Sequence, residues 1–275
     1  MPCFPEDLWA GHWRITQSLR WRGDQGQCLC ARPSDPEDAD SPPAELGLAT
    51  VAPAQRVPLA DQAAPLALRG LPGVTPLREI APLASPGPAY DVLIEALPEG
   101  RPSDEVELSP QEVKRLAMSV IDVVIQAHQR GQILQGIQPS LIYVKARPQG
   151  WVFSGIAPRG HVFTWSAGSH NHAAPPLSPV IYVPPEVIRG GDEAWTTAAD
   201  IFALCVTLTG WMTGQSAFEG EGWLAQTQAV ISGAQRPWGS RWWSAEQAVA
   251  AGLSPDPQAR PQAGKLKATL RPAIP

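Results

Sequence analysis

The sequence predicts an α+β fold in which strands come first and helices follow. Residues 15–31 read as two strands, and residues 45–51 and 90–97 as further strands, all before residue 98. From Ser109 onward, apolar residues recur at helical spacing instead. A chain of 275 residues, 44% of them hydrophobic, is large enough for a proper core.

A long helix is predicted to begin at Ser109. Ser109 and Glu112 have the S-x-x-E spacing of a capping box, and Pro110 takes the first helical position. Gly131 offers a stop signal. Between these signals, apolar side chains recur three or four residues apart, at Val113, Leu116, Ala117, Val120, Val124 and Ala127.

A second helix is predicted to begin at Thr197, with Asp200 three residues later as the other half of its cap. Residues 201–206 are apolar all round. A helix with no polar face is typical of the centre of a fold. We therefore expect this helix to be buried.

Five short motifs occur in the order and at the spacing of protein kinase landmarks. They are A-H-Q-R-G-Q-I-L-Q-G-I-Q-P-S-L-I-Y at 127–143, V-F-S-G-I-A at 152–157, Y-V-P-P-E at 182–186, T-A-A-D-I-F-A-L at 197–204 and D-P-Q-A-R-P at 256–261. Each motif alone is weak, but the series covers roughly residues 13–270. On these motifs the chain resembles the protein kinase superfamily, in particular bacterial Ser/Thr kinases.

The resemblance implies a bilobal kinase-like fold that forms one domain. Residues 1–97 would form a small, mostly antiparallel β N-lobe, and residues 98–275 a larger helical C-lobe. An acidic, Pro-rich insert at about residues 34–43 is interpreted as a solvated, flexible loop between two N-lobe strands.

The residues that carry kinase chemistry are missing from the aligned positions. In the family, an Asp accepts the substrate proton, a second Asp and an Asn hold Mg²⁺, and a Lys holds the α- and β-phosphates. The vacated positions hold Gly136 for the catalytic Asp, Gln138 for the loop Lys, Leu141 for the Asn, Phe153 for the metal-binding Asp and Ala49 for the phosphate-binding Lys.

Neighbouring sequence offers no replacement for these groups. A G-x-G-x-x-G loop is absent around residues 22–26, and Pro65 interrupts the helical window near Gln62, where the partner Glu of the Lys is expected. The sequence contains no Asp or Glu between Asp122 and Glu186. The stretch that should bind the metal therefore carries no carboxylate.

The positions that match the family pattern have structural roles there. By resemblance, Glu186 and Arg260 form a buried ion pair, and Asp200 accepts backbone N–H groups of the catalytic loop. Gly155 remains from the D-F-G motif. His128, near the end of the first long helix, is interpreted as a packing and hydrogen-bonding residue.

The resemblance thus implies a pseudokinase: a catalytically inactive kinase-like domain that acts as a protein-binding, scaffold or allosteric regulatory module. One alternative is an atypical Ser/Thr protein kinase with rearranged ATP and metal ligands. Another is a nucleotide sensor, in which the hinge backbone at Glu95, Ala96 and Leu97 holds ATP without magnesium and without phosphotransfer. No cofactor and no metal is predicted, and His170 and His172 are assigned to a solvated loop.

Tryptophans suggest where a protein partner could bind. The chain has 11 Trp, and Trp223, Trp238, Trp242 and Trp243 cluster late in the sequence. Exposed Trp residues would anchor an interface, whereas buried ones would pack beneath the loops of this Pro-rich region, and both interpretations stay open. Pro179 replaces the usual Thr of the substrate-positioning loop, so ordinary peptide-substrate recognition is not expected.

Charge and cysteine placement favour a cytoplasmic protein that binds neither nucleic acid nor membrane. The net charge is −5, with no Lys/Arg run, no positively charged leader, and no apolar segment near the roughly 20 residues of a membrane span. Cys28 and Cys30 would share one face of a strand, Cys205 lies in the apolar helix, and Cys3 is terminal. Free thiols are therefore expected.

Overall fold

A computed structural model of the chain describes residues 8–22, 25–35, 38, 41–53, 68, 70–84, 89–157, 180–191, 194–238 and 243–274. The described residues form two compact units. The β unit comprises those up to residue 70 together with residues 75–97, and the helical unit comprises residues 71–74, 98–157 and those from 180 onward. The predicted α+β class is confirmed.

The β unit is a six-stranded antiparallel sheet with strand order β1-β2-β3-β4-β6-β5. Its strands are β1 (Trp9–Ala10), β2 (Trp13–Arg22), β3 (Gln25–Pro33), β4 (Pro43–Pro53), β5 (Leu77–Pro82) and β6 (Tyr90–Ala96). The strands predicted at residues 15–31, 45–51 and 90–97 are all present, each close to its expected bounds. β5 and the short β1 were not predicted.

The sheet closes on itself because its two outer strands meet. Ala10 of β1 forms an antiparallel bridge to Leu83, one residue beyond β5, and the Ala84 N–H donates to the Trp9 carbonyl at 2.7 Å. Closure satisfies backbone groups that an open edge would expose. One face of the sheet buries the cluster formed by Ala10, Trp13, Ile15, Cys28, Cys30, Ala49, Val51, Ala81, Leu83, Val92 and Ile94.

The cysteines behave as small apolar side chains. Cys28 and Cys30 lie together in the core of the β unit, as their spacing predicted, and Cys205 is buried in the helical unit. All three are free thiols. Burial raises the pKa of each thiol to about 12, so these groups stay protonated and unreactive near neutral pH.

The helical unit combines helices with a small sheet. Its helices are α1 (Pro110–Gln129), α2 (Pro185–Gly190), α3 (Thr197–Thr213), α4 (Gly222–Ser232), α5 (Trp243–Gly252) and α6 (Ala263–Ala273), with 3-10 turns at Ser103–Glu105, Pro139–Leu141, Val180–Tyr182 and Pro257–Ala259. The sheet has the order β7 (Arg101–Pro102), β8 (Ile142–Arg147) and β9 (Gly150–Ile156).

Helix α1 has the capping box that the sequence predicted. The Ser109 hydroxyl accepts the Glu112 N–H, and the Glu112 carboxylate accepts the Ser109 N–H at 2.7 Å. Glu112 also accepts the Trp151 N–H at 2.6 Å, which ties the start of α1 to β9. Burial tends to raise the pKa of Glu112, but these hydrogen bonds outweigh it and hold that pKa below its ordinary value. The predicted apolar face of the helix is buried.

Helix α3 is the buried central helix that its composition predicted, with residues 199–209 all buried. The predicted cap of this helix is wrong, however. Thr197 is its first residue rather than its cap, the N-cap is Thr196, and no side chain caps the helix. The Asp200 carboxylate binds a distant loop instead.

No helix in the described part of the chain is long and apolar enough to span a membrane.

Several predicted features fall outside the described residues. They include the turn at residues 23 and 24, the helical window of Gln62 and Pro65, and residues 36, 37, 39 and 40 of the acidic insert. Within the insert, the Ser34 N–H donates to the Pro42 carbonyl at 3.0 Å. The base of that loop is therefore closed by a hydrogen bond.

Replacing the cap of α1 tests how much the local signal contributes. We expect Ser109→Ala to lower the free energy of unfolding by about 1 kcal/mol, because the Glu112 N–H loses its acceptor. Ser119→Ala is the matched control, since the Ser119 hydroxyl only bonds back to the Arg115 carbonyl within the helix. Urea denaturation of both variants measures the difference, and equal effects would contradict a capping role.

Candidate functional site

One carboxylate holds the loop that aligns with the kinase catalytic loop. Asp200 of α3, only 1% exposed, accepts the Leu134 N–H at 2.8 Å and the Gln135 N–H at 2.9 Å. The His128 Nε2 atom lies 2.9 Å from the same carboxylate. The central helix therefore positions both the loop and the end of α1 through one side chain.

The loop has a strained backbone at Gln135. Its φ is +59°, and no other non-glycine among the described residues has a positive φ. The left-handed region costs an L-residue about 1 to 2 kcal/mol. The bond from the Gln135 N–H to Asp200 offsets this cost, so the carboxylate holds the loop in a conformation it would not adopt alone.

Further hydrogen bonds to the loop come from residues that sequence reasoning missed. The Thr207 hydroxyl donates to the Ile137 carbonyl at 3.2 Å, and the Ser103 hydroxyl donates to the Pro139 carbonyl at 2.9 Å. Thr207 follows Asp200 by seven residues and so lies on the same face of α3. Two polar residues seven positions apart on an otherwise apolar helix could have indicated that both bind the same loop.

The vacated loop positions are part of the internal packing. Gly136 is buried, Gln138 is 4% exposed and Leu141 is 2% exposed. The Gln138 side-chain oxygen has no hydrogen-bond partner among the described residues, and an amide supplies no positive charge. The Leu141 carbonyl accepts the Ala157 N–H at 2.8 Å, which joins the loop to the segment after β9.

Phe153, which the motif alignment assigns to the metal-binding Asp, lies within β9 across from Val144. A Cβ placed on Gly73 would lie 3.2 Å from the Phe153 ring and 2.5 Å from Val123 of α1. Gly73 has a φ of +82°, and its carbonyl accepts the Ile156 N–H at 2.8 Å. Phe153 thus packs close to the 71–74 segment, and the buried Gly155 lies on the same strand.

No carboxylate cluster replaces these groups in the part of the helical unit described. Among the described residues, no group of three or more His, Cys, Asp or Glu side chains could hold a metal ion.

Asp104, which sequence reasoning did not single out, lies near Tyr182. Burial, and secondarily this carboxylate, raises the pKa of the Tyr182 hydroxyl above its ordinary value.

Glu186 and Arg260 form a two-pronged ion pair. The guanidinium donates to both carboxylate oxygens, at 2.6 and 2.8 Å. It also donates to the carbonyls of Ser254 and Ala198, and it lies 5.0 Å from the centre of the Phe202 ring. The Arg260 side chain is fully buried and that of Glu186 is 17% exposed. The pair joins the start of α2 to the segment before α6.

In the β unit, Ala49 does not occupy the place expected of the phosphate-binding Lys. Its side chain lies in the apolar core of the sheet with Cys28 and Cys30. A side chain that holds a phosphate must point away from such a core, because strand residues alternate between faces. The neighbouring Leu48 and Thr50 are buried on the opposite face, where Thr50 lies across from Gln27.

The hinge backbone is already occupied by hydrogen bonds within the β unit. The Ala96 N–H donates to the Pro76 carbonyl at 2.8 Å, and the Leu97 N–H donates to the Leu46 carbonyl at 3.3 Å. The Glu95 side chain is buried and accepts the Thr75 hydroxyl at 2.7 Å. Two of the hinge N–H groups are thus bonded within the β unit, and nucleotide binding by this backbone stays a prediction.

The tryptophans that could anchor an interface or pack beneath loops differ in their exposure. Trp223 is 42% exposed at the start of α4, beside Leu224, which is 64% exposed. Trp238 is half-buried. Trp242 and the side chain of Trp243 lie outside the described residues, as do His170, His172 and Pro179.

Breaking the Glu186–Arg260 pair should strongly destabilise the helical unit. We expect Glu186→Ala to cost about 3 to 5 kcal/mol, because it strands a buried guanidinium. The control is Glu219→Ala, which removes an exposed partner of Arg236 and should cost less than about 1 kcal/mol. Denaturant unfolding measures both, and similar losses would show that burial does not set the value of the pair.

The hold of Asp200 on the loop can be tested by hydrogen exchange. In Asp200→Asn, a single amide oxygen must serve N–H groups that two carboxylate oxygens now serve, so residues 134 and 135 should exchange at least about tenfold faster. Thr209→Val, on the same helix, removes only a bond to the Cys205 carbonyl and should leave these amides unchanged. Unchanged protection in Asp200→Asn would contradict the assigned role.

Comparisons with known proteins place the fold. No family model matches the chain, and no curated protein matches it. Two solved structures of the PknI kinase domain from Mycobacterium tuberculosis, a double mutant and a single mutant, are similar to it. Each has a TM-score of 0.65 at 14% identity, over 99% of this chain and 100% of the PknI chain. The chain therefore has a protein-kinase-like fold, as the motif series predicted.

Proposed function

We propose that this chain is a pseudokinase: a kinase-like domain that transfers no phosphate and acts as a protein-binding regulatory module. One observation carries the proposal. The loop frame is intact around Asp200, while Leu141 and Phe153, the residues that the motif alignment assigns to the two metal positions, are apolar. The frame needs no nucleotide, whereas phosphoryl transfer needs the groups that are missing.

The chemistry of Mg²⁺ supports this conclusion. Mg²⁺ demands oxygen ligands, and neither Leu141 nor Phe153 has a side-chain oxygen. Phosphoryl transfer is almost entirely positioning and charge neutralisation, so a site without metal ligands and without the phosphate-binding Lys gives up both contributions. The neighbours of Ala49 do not supply that Lys either, because positions 48 and 50 hold Leu and Thr.

Occupied hinge donors also disfavour the sensor alternative. An adenine ring held by backbone alone needs free N–H and C=O groups at the hinge, and the Ala96 and Leu97 N–H groups are already bonded. A protein surface is then the feature that can carry function. The exposed Trp223 and Leu224 supply one, because large apolar side chains dominate binding energy at interfaces.

Nucleotide binding provides the direct test. We expect the purified chain to show no change in Tm with ATP, with or without Mg²⁺ or Mn²⁺. A ligand at about 100 times its Kd would add about 2.7 kcal/mol, which raises the Tm of a chain this size by several degrees. An active Ser/Thr kinase domain serves as the positive control.

Each contrary outcome has a distinct meaning. A metal-dependent rise in Tm, or transfer of labelled phosphate from ATP to the chain or to a general substrate, would overturn the proposal in favour of an atypical kinase. A rise with ATP that needs no metal would support the sensor instead.

A further inference from the structure

We propose that the α4 entry surface, formed by Glu219, Glu221, Trp223 and Leu224, binds an arginine-bearing apolar segment of a partner protein. This inference rests on the proposed function, to which it adds the chemistry of the partner. Three features of this surface support the inference: two exposed apolar side chains, a closely packed turn before them, and negative charge around them.

The exposure of this surface is unusual for the chain. Four large hydrophobic side chains are prominently exposed in the described residues, and two of them, Trp223 and Leu224, are adjacent. The other two, Leu19 and Leu46, lie in the β unit. A Trp ring has both a large apolar area and an N–H donor, which suits a surface that alternates between water and a partner.

The turn that presents Trp223 is closely packed against α4. Thr227 and Val230, four and seven residues further along α4, are buried, and the Thr227 hydroxyl donates to the Trp223 carbonyl at 2.7 Å. A Cβ on Gly220 would lie only 2.7 Å from the Ala225 carbonyl carbon, so this turn sits directly against the first turn of α4. A fixed presentation reduces the entropy lost on binding.

The charge around the two apolar side chains is negative. Glu221 is exposed and immediately precedes α4, and the Glu219 side chain is 66% exposed. Arg236 compensates part of this charge through its pair with Glu219 at 2.9 Å. Residues 222–232 carry no charged side chain, so the carboxylates at the entry of α4 select for a cation.

Arginine fits this surface better than lysine. Its planar guanidinium stacks on an aromatic ring and can bind a carboxylate at the same time. The β unit contains that arrangement: Arg32 lies 5.8 Å from the centre of the Trp13 ring and 3.3 Å from the Glu45 carboxylate. In the proposed complex, a partner Arg stacks on Trp223 and pairs with Glu221, while a neighbouring aliphatic side chain covers Leu224.

Synthetic peptides test the chemistry without knowledge of the natural partner. The probe is a short fluorescein-labelled peptide that repeats Arg and Leu, compared with one that has Glu for Arg and one that has Ser for Leu. By fluorescence anisotropy on the full chain, we expect the Arg–Leu peptide to bind more tightly than either of the others. Trp223→Ala should weaken it at least about tenfold.

A charge reversal separates specific from general attraction. In Glu221→Lys, the preference should shift from the Arg–Leu peptide toward the Glu–Leu peptide. The matched control is Leu46→Ala, because Leu46 is 51% exposed but belongs to the β unit, and this variant should bind as the unmodified chain does. Equal binding of the Arg–Leu and Glu–Leu peptides, or no effect of Trp223→Ala, would overturn the inference.

The outcomes distinguish this inference from the proposed function. Loss of peptide binding preference leaves the pseudokinase proposal intact, whereas metal-dependent ATP binding overturns that proposal and leaves the peptide result standing. Sedimentation of the chain tests whether a second copy of it occupies the surface. Self-association of the chain that Trp223→Ala abolishes would assign the surface to a second copy and would also overturn the inference.

Discussion

The carboxylate of Asp200 is the group on which the functional region of the helical unit depends. It is almost fully buried, and an ionised buried group is stable only when its hydrogen-bonding capacity is met. Two backbone N–H groups and the His128 ring meet it here. The same bonds hold Gln135 in a left-handed conformation. Helix α3, the end of α1 and the loop between them are thus one connected structure, and none of these contacts involves a ligand.

This dependence explains how a kinase-like frame can exist without kinase chemistry. The frame is held by groups that satisfy one another inside the protein, such as Asp200 with the loop and Arg260 with Glu186. Catalytic charges are different, because they must stay partly unsatisfied to meet substrate and metal, and so they cost stability. In the proposed pseudokinase, the apolar Leu141 and Phe153 at the aligned positions remove that cost and add packing.

Local signals predicted much of the fold, and long-range contacts account for what they missed. The box of Ser109 and Glu112 set the start of α1, because both partners lie within one turn. Thr197 and Asp200 have a similar spacing, yet Asp200 bonds a loop about 65 residues away, which spacing cannot show. The face of Ala49 was misassigned because both faces of β4 are buried, so alternation of polar and apolar residues does not mark the inner one.

The backbone N–H groups at the hinge are occupied because the hydrogen bonds between segments of the β unit, which stabilise it, extend to this end of β6. An isolated strand end would offer its N–H groups to a ligand, but neighbouring carbonyls accept those of Ala96 and Leu97. Satisfying the backbone internally stabilises the fold and leaves fewer groups for nucleotide. On the proposed function, the exposed surface then has to carry the activity of the protein. Trp223, 42% exposed and two residues after the exposed Glu221, is such a feature, and the turn before it packs against the first turn of α4.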